Sequence, residues 1–226
     1  MKNIYTLFII LFYLLRIFLS VSTYHQDLGA MALSGKYISV ENKWLSFYDQ
    51  SGKDESQTIF NYQPLAYLVP SIVYLPFRSV ITPLGDKYKN SDWQIDNPGS
   101  TSIFLLIYKL PMLLADLGVL ILIGKFFSDI KSKNLARLLW AVNPITIFVS
   151  SIIGQVDVII AFFLLLSFYF FKNKKIATAI IFVTLSALIK PIGLIFLPII
   201  GYQGIKKFSS FVGASFYTAF GLLLYV

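Results

Sequence analysis

Apolar stretches joined by short lysine-rich loops constrain the fold of this chain more than any other feature. The stretches cover residues 4–22, 101–127, 135–152, 156–171, 176–189, 191–203 and 208–226. In hydrocarbon each backbone polar group must be satisfied within its own segment, so such runs are helices that cross or enter a bilayer. Only 13% of residues are charged and 57% are hydrophobic, whereas an ordinary soluble domain carries about 25% charged residues. The sequence therefore predicts an all-α polytopic membrane protein of about seven transmembrane helices. They form a single membrane domain over residues 1–226, with a long first outer loop at about 23–100 that bears interfacial helices.

The formal net charge of +8 follows the loops. Lys125, Lys131, Lys133 and Arg137 occupy one, Lys172, Lys174 and Lys175 another, and Lys206 with Lys207 a third. Cytoplasmic loops are enriched in lysine and arginine, so these loops and the N-terminus are expected in the cytoplasm of a multi-pass cell-membrane protein. The 23–100 loop, the turn at 154–157 and the Lys190-Pro191 turn then share the outer side. Nucleic acid is not an expected partner, because no soluble basic domain carries the charge. The bilayer is.

Two segments could be read otherwise. Residues 64–84 are apolar, but Pro70, Pro76, Pro83 and Arg78 break helices or resist burial. A span there would invert every later loop, so it is expected to lie on the outer interface or dip into it. The first run has Lys2 before it and Ser20-Val21-Ser22 after it, as a secretion signal would. Arg16 interrupts it, and it is expected to be an uncleaved first span. The last run stops at Val226 without a polar cap, so a C-terminal part is expected to be missing.

The candidate chemistry lies at the few ionisable positions among these runs. An intramembrane charge is costly and must face protein or water. Lys109 and Asp116 lie seven residues apart on one face of the same run, about 10 Å apart along the axis. Lys109 is nearer the outer end and could meet a phosphate, while Asp116 is deeper and expected to order neighbouring helices. The run containing Asn143-Pro144 ends in Gly154-Gln155-Val156-Asp157, which leaves an amide and a carboxylate at the outer turn. Lys190 precedes Pro191, which biases it away from helical geometry. A lysine held at such a break can bind a phosphate, or simply snorkel at the interface.

Asp27 follows His25 just after the first run, ahead of the helically spaced Leu28, Met31 and Ala32. A carboxylate there can act as a general base, or stabilise that helix as an N-cap. Tyr62, before Pro64, could stack on a sugar ring or anchor at the headgroups. With no cysteine and one histidine, thiolate and His-rich metal sites are excluded. Neither a metal nor a cofactor is expected.

Taken in order, these elements resemble the GT-C integral membrane glycosyltransferases. They are the early acidic Asp27, Tyr62-Gln63-Pro64-Leu65, Lys109-x-Pro111 with Ala115-Asp116-Leu117, the hairpin from Asn143-Pro144 to Gly154-Gln155-x-Asp157, and Lys190-Pro191. The likeness is nearest to polyprenyl-phosphate-mannose-dependent enzymes (glycosyltransferase family 87) and dolichol-linked sugar transferases. It covers their N-terminal module. Gln63 stands where the related element often has proline.

The resemblance implies metal-independent transfer of a hexose, mannose in the enzymes it is nearest to, from a polyprenyl-phosphate donor to a lipid, glycan or protein acceptor on the outer face. It implies Asp27 as catalytic base and Lys190 and Lys109 as donor-phosphate ligands. His25, Tyr62, Gln155 and Asp157 would line the substrate pocket, while Asp116 and Asn143 would be structural. Buried charges on broken helices also mark transporters and flippases of lipid-linked or anionic substrates, and a non-catalytic membrane subunit is a third reading.

Overall fold

The computed structural model describes residues 2–25, 27–53, 59–81 and 98–205. Among them the regular structure is entirely helical. Helix α1 (Lys2–Ser22) is followed by α2 (Asp27–Gly35), which continues as a π-helical turn over Lys36–Val40. Helix α3 (Pro64–Tyr74) precedes the long α4 (Pro98–Ile123). Then come α5 (Ile130–Val142), the short α6 (Pro144–Ile147) running into a π-helical segment at Phe148–Ile153, α7 (Asp157–Lys172), α8 (Ile176–Ala187), a 3-10 stretch at Pro191–Phe196, and α9 (Leu197–Ile205).

Ile4–Ser22, Pro64–Ile81 and Ser102–Ile123 are long and apolar enough to cross a membrane. Counting the bent pair Ile130–Val142 and Pro144–Ile153 as one span makes four. The bend is 52° and sits at Asn143. This residue ends α5, and its side-chain oxygen accepts the Ile145 N–H at 2.9 Å to start α6. Pro144 has no N–H to continue the earlier ladder, which fixes the break there. Helices α7, α8 and α9 have 16, 12 and 9 residues, shorter than the roughly 20 of a full crossing. The expected seventh run, 208–226, lies outside the described residues, as do Lys206 and Lys207.

The helices alternate in direction. Tyr13 donates to the Leu113 carbonyl, Arg16 meets Asp116, and Lys109 meets Thr23, so α1 and α4 are antiparallel. Helix α7 runs parallel to α4. Gly118 lets them touch, since a Cβ there would fall 2.4 Å from the Phe162 ring. Helix α8 returns against α7, where Ser167 donates to the Ala179 carbonyl and the Phe170 and Phe182 rings stack.

The bundle therefore has two unlike ends. The loops after α4 and α7 share one, where Lys172 donates to the Phe126 carbonyl. The segment after α1, the 154–157 turn and the end of α8 share the other. Although Pro64–Ile81 is long enough for a span, its contacts stay at this second end. The Leu65 N–H donates to the Leu188 carbonyl, Tyr74 donates to the Tyr108 carbonyl, and Ile81 joins the cluster of Leu28, Phe104 and Tyr108.

Candidate functional site

The site is assembled around the turn that separates the π-helical segment from α7. Gly154 closes that segment in the left-handed region, at φ +81°, where a Cβ is penalised. Its own N–H and that of Gln155 both return to the Val149 carbonyl. The chain then reverses, so Gln155 and Asp157 project from one tight corner to opposite partners.

On one side the Gln155 Nε2 donates to Asp27 Oδ2 at 2.7 Å. Asp27 stands in the first turn of α2, where the helix dipole favours its negative charge. Its backbone N–H donates to His25 Nδ1 at 3.3 Å, and that nitrogen lies 3.6 Å from Asp27 Oδ1. The Asp27 side chain is 40% exposed, so the carboxylate is anchored but open to a second molecule. Burial, then the Asp27 charge, pushes the neighbouring Tyr24 phenol up to about 12, which keeps it neutral.

On the other side Asp157, in the first turn of α7, takes both its oxygens to Lys190 Nζ at 2.8 and 2.9 Å. Lys190 is extended, at φ −146° and ψ 142°, as a residue before proline prefers. Its ammonium sits 4.7 Å over the Tyr62 ring. Tyr62 is held in turn: its N–H donates to the Tyr67 hydroxyl and its carbonyl accepts from Tyr48. Tyr48, Tyr67, Phe47 and Phe60 pack as an aromatic block behind it. Burial raises the Tyr48 phenol well above its ordinary range. Asp27, Gln155, Asp157, Lys190, Tyr62 and His25 thus gather within one turn of chain and its immediate partners.

Lys109 lies behind this turn rather than in it. It is fully buried. Its Nζ donates to the Thr23, Ser151 and Ile152 carbonyls at 2.6, 2.9 and 2.8 Å and lies 3.1 Å from the Thr23 hydroxyl. These oxygens end two helical segments, where a cation offsets the negative end of the dipole. Lys109 Cγ would be only 3.0 Å from a Cβ at Gly154, so lysine stem and turn are in direct contact. The expected phosphate ligand is thus surrounded by oxygens of its own chain.

Asp116 is equally enclosed. Arg16 Nη1 lies 3.3 Å from each of its oxygens, and Trp140 Nε1 donates to Oδ1 at 2.9 Å. Arg16 also donates to Ser150, Thr146 and the Trp140 and Ala141 carbonyls. Asp116 therefore ties α1, α4 and α5 together. In the sequence Arg16 stands out only as an interruption of its run, and a lone arginine and a lone aspartate in two apolar runs are the signal for the pair.

Among the described residues no group of His, Cys, Asp and Glu could hold a metal ion. In comparisons with known proteins, no family model, no curated protein and no solved structure matches the chain.

Proposed function

We propose that this chain is a membrane glycosyltransferase that moves a hexose from a polyprenyl-phosphate donor to an acceptor hydroxyl on the outer face of the cell membrane. Its N-terminus and lysine-rich loops lie in the cytoplasm. Asp27 acts as general base, taking the proton as the acceptor oxygen attacks the sugar carbon. The donor phosphate leaves with the electron pair of the broken bond, opposite the Lys190 ammonium.

The observation that carries this reading is the double bridge at one turn. Gln155 holds Asp27, and Asp157 holds Lys190, so a carboxylate and an ammonium are both tied to the one turn at this end of the bundle. Base catalysis needs a group within hydrogen-bond reach of the proton it takes, and the partly open Asp27 carboxylate meets that need. The resemblance to the GT-C enzymes supports the donor class, and the Tyr62 ring beside Lys190 supports a sugar-bearing substrate. A carrier would use its intramembrane charges along a route between the two faces. Here Lys109 and Asp116 are closed over by their own partners, which favours the enzyme.

The test is transfer from several polyprenyl-phosphate sugars to extracted membrane acceptors, comparing the wild type with Asp27→Asn. Loss of transfer with donor binding retained is expected. Full activity in the variant would remove Asp27 as base. Single cysteines placed in this cysteine-free chain near Gly154 and near Phe126 would separate enzyme from carrier. Alternating accessibility at the two sites would favour the carrier.

A further inference from the structure

A second feature lies at the opposite end of the bundle. An open groove of about 460 Å³ runs between α4, α5 and α7, lined by Phe126, Phe127, Ala136, Leu139, Trp140 and Leu165 among others. The α5 positions recur three and four apart, so one face of that helix forms a continuous wall. The wall runs from the α4–α5 loop down to Trp140.

Cations neighbour the lining residues at the loop end of the groove. The Arg137 guanidinium lies against Gly124, where a Cβ would be 2.6 Å from Nε, and donates to the Leu120 carbonyl at 3.1 Å. Lys125 is the next residue and is exposed. Lys172 reaches across from α7 to the Phe126 carbonyl and sits 5.7 Å over the Phe126 ring. Asp129 is the one acidic residue between 117 and 156, and it is occupied: it accepts the Ser132 N–H at 2.7 Å as the cap of α5. Capping α4 needs fewer cations than gather here, and the apolar wall directly below them has no part in capping.

We propose that this groove binds an anionic phospholipid, with one acyl chain along the α5 wall and the phosphate against Lys125 and Lys172. Its charge complements these cations and its tail complements the wall. The ligand is independent of the sugar-transfer reading, and Trp140 couples it to the interior, since the indole that lines the groove also donates to Asp116.

The experiment uses the full chain in nanodiscs with Trp44→Phe and Trp93→Phe, leaving Trp140 as the sole indole. Acyl-brominated phosphatidylglycerol and phosphatidylcholine are titrated separately, and Trp140 quenching is read. Phosphatidylglycerol is expected to quench at lower mole fraction. Each of Lys125→Gln and Lys172→Gln should weaken this by about fivefold, the usual contribution of one cation at an anionic surface. Ala136→Phe, which fills the groove, should abolish the headgroup-dependent part, and the two lysine variants keep the test valid if that substitution disturbs folding. Equal quenching by the two lipids would overturn the proposal, and so would displacement of brominated phosphatidylglycerol by millimolar inorganic phosphate.

Discussion

Gln155 and Asp27, 128 residues apart in sequence, are joined by a 2.7 Å hydrogen bond from amide to carboxylate. A hydrogen bond to a charged group contributes about 1.5–3 kcal/mol, and here it also fixes which way the carboxylate points. On the proposed reading, in which Asp27 is the base and Lys190 meets the donor phosphate, Gln155→Leu is expected to lower kcat by about ten- to a hundredfold while leaving donor KM little changed. Steady-state transfer kinetics would check this, and an unchanged kcat would detach Gln155 from the proposed base.

Arg16 and Asp116 make a different kind of contact, fully enclosed and remote from the turn. Removing one member of a buried pair leaves an uncompensated charge, at about 3–5 kcal/mol. Arg16→Met and Asp116→Leu should each lower thermal stability severely in detergent. The double variant Arg16→Met/Asp116→Leu should recover most of the loss, because two apolar side chains replace two charges together. Equal losses in the double and single variants would show that the pair is not the unit of stability.

Much of this arrangement was legible in the sequence. Within the described residues the first six runs coincide with helical segments, and the Lys190-Pro191 turn lies where proline places it, but the run read as continuous over 135–152 is bent by 52° at Asn143. The alternation of helices puts Asp27, Gln155, Asp157 and Lys190 at one end, as the lysine-rich loops implied. The partners of Lys109 were not legible, because three of its four oxygens are backbone carbonyls and every residue has one. The π-helical segment at Phe148–Ile153 was also hidden, since a one-residue change of helical period leaves no mark in so uniformly apolar a stretch. The run 191–203 gave no sign of its 3-10 opening at Pro191–Phe196, because apolarity continues through it where the α-helical ladder does not.

Lys109 and Gly154 form the hinge of the site from behind. Lys109→Met would remove the ammonium that the Thr23, Ser151 and Ile152 carbonyls share at a buried position, and an unsatisfied buried acceptor costs about 1–3 kcal/mol. The turn should loosen and the Gln155 bond to Asp27 should weaken with it. Gly154→Ala adds a Cβ at φ +81°, 3.0 Å from Lys109 Cγ, and should cost on the order of 1–3 kcal/mol. Unfolding in detergent would measure both losses. Faster labelling of a cysteine at position 155 in the Lys109→Met background would report the loosened turn without any assay of transfer. Unchanged labelling would mean that Lys109 does not set its position.

His25 offers a check on the same corner that needs no substrate. Its Nδ1 accepts the Asp27 N–H at 3.3 Å, so the neutral ring must carry its proton on Nε2. Protonation makes Nδ1 a donor. It breaks that bond and leaves Asp27 Oδ1, 3.6 Å away, as the nearest acceptor. Because the chain has one histidine, ¹⁵N labelling of histidine yields a single imidazole. In the neutral ring Nδ1 should resonate as an unprotonated nitrogen that accepts the Asp27 amide. A proton found on Nδ1 of the neutral ring would show that His25 and Asp27 do not interact as the geometry requires.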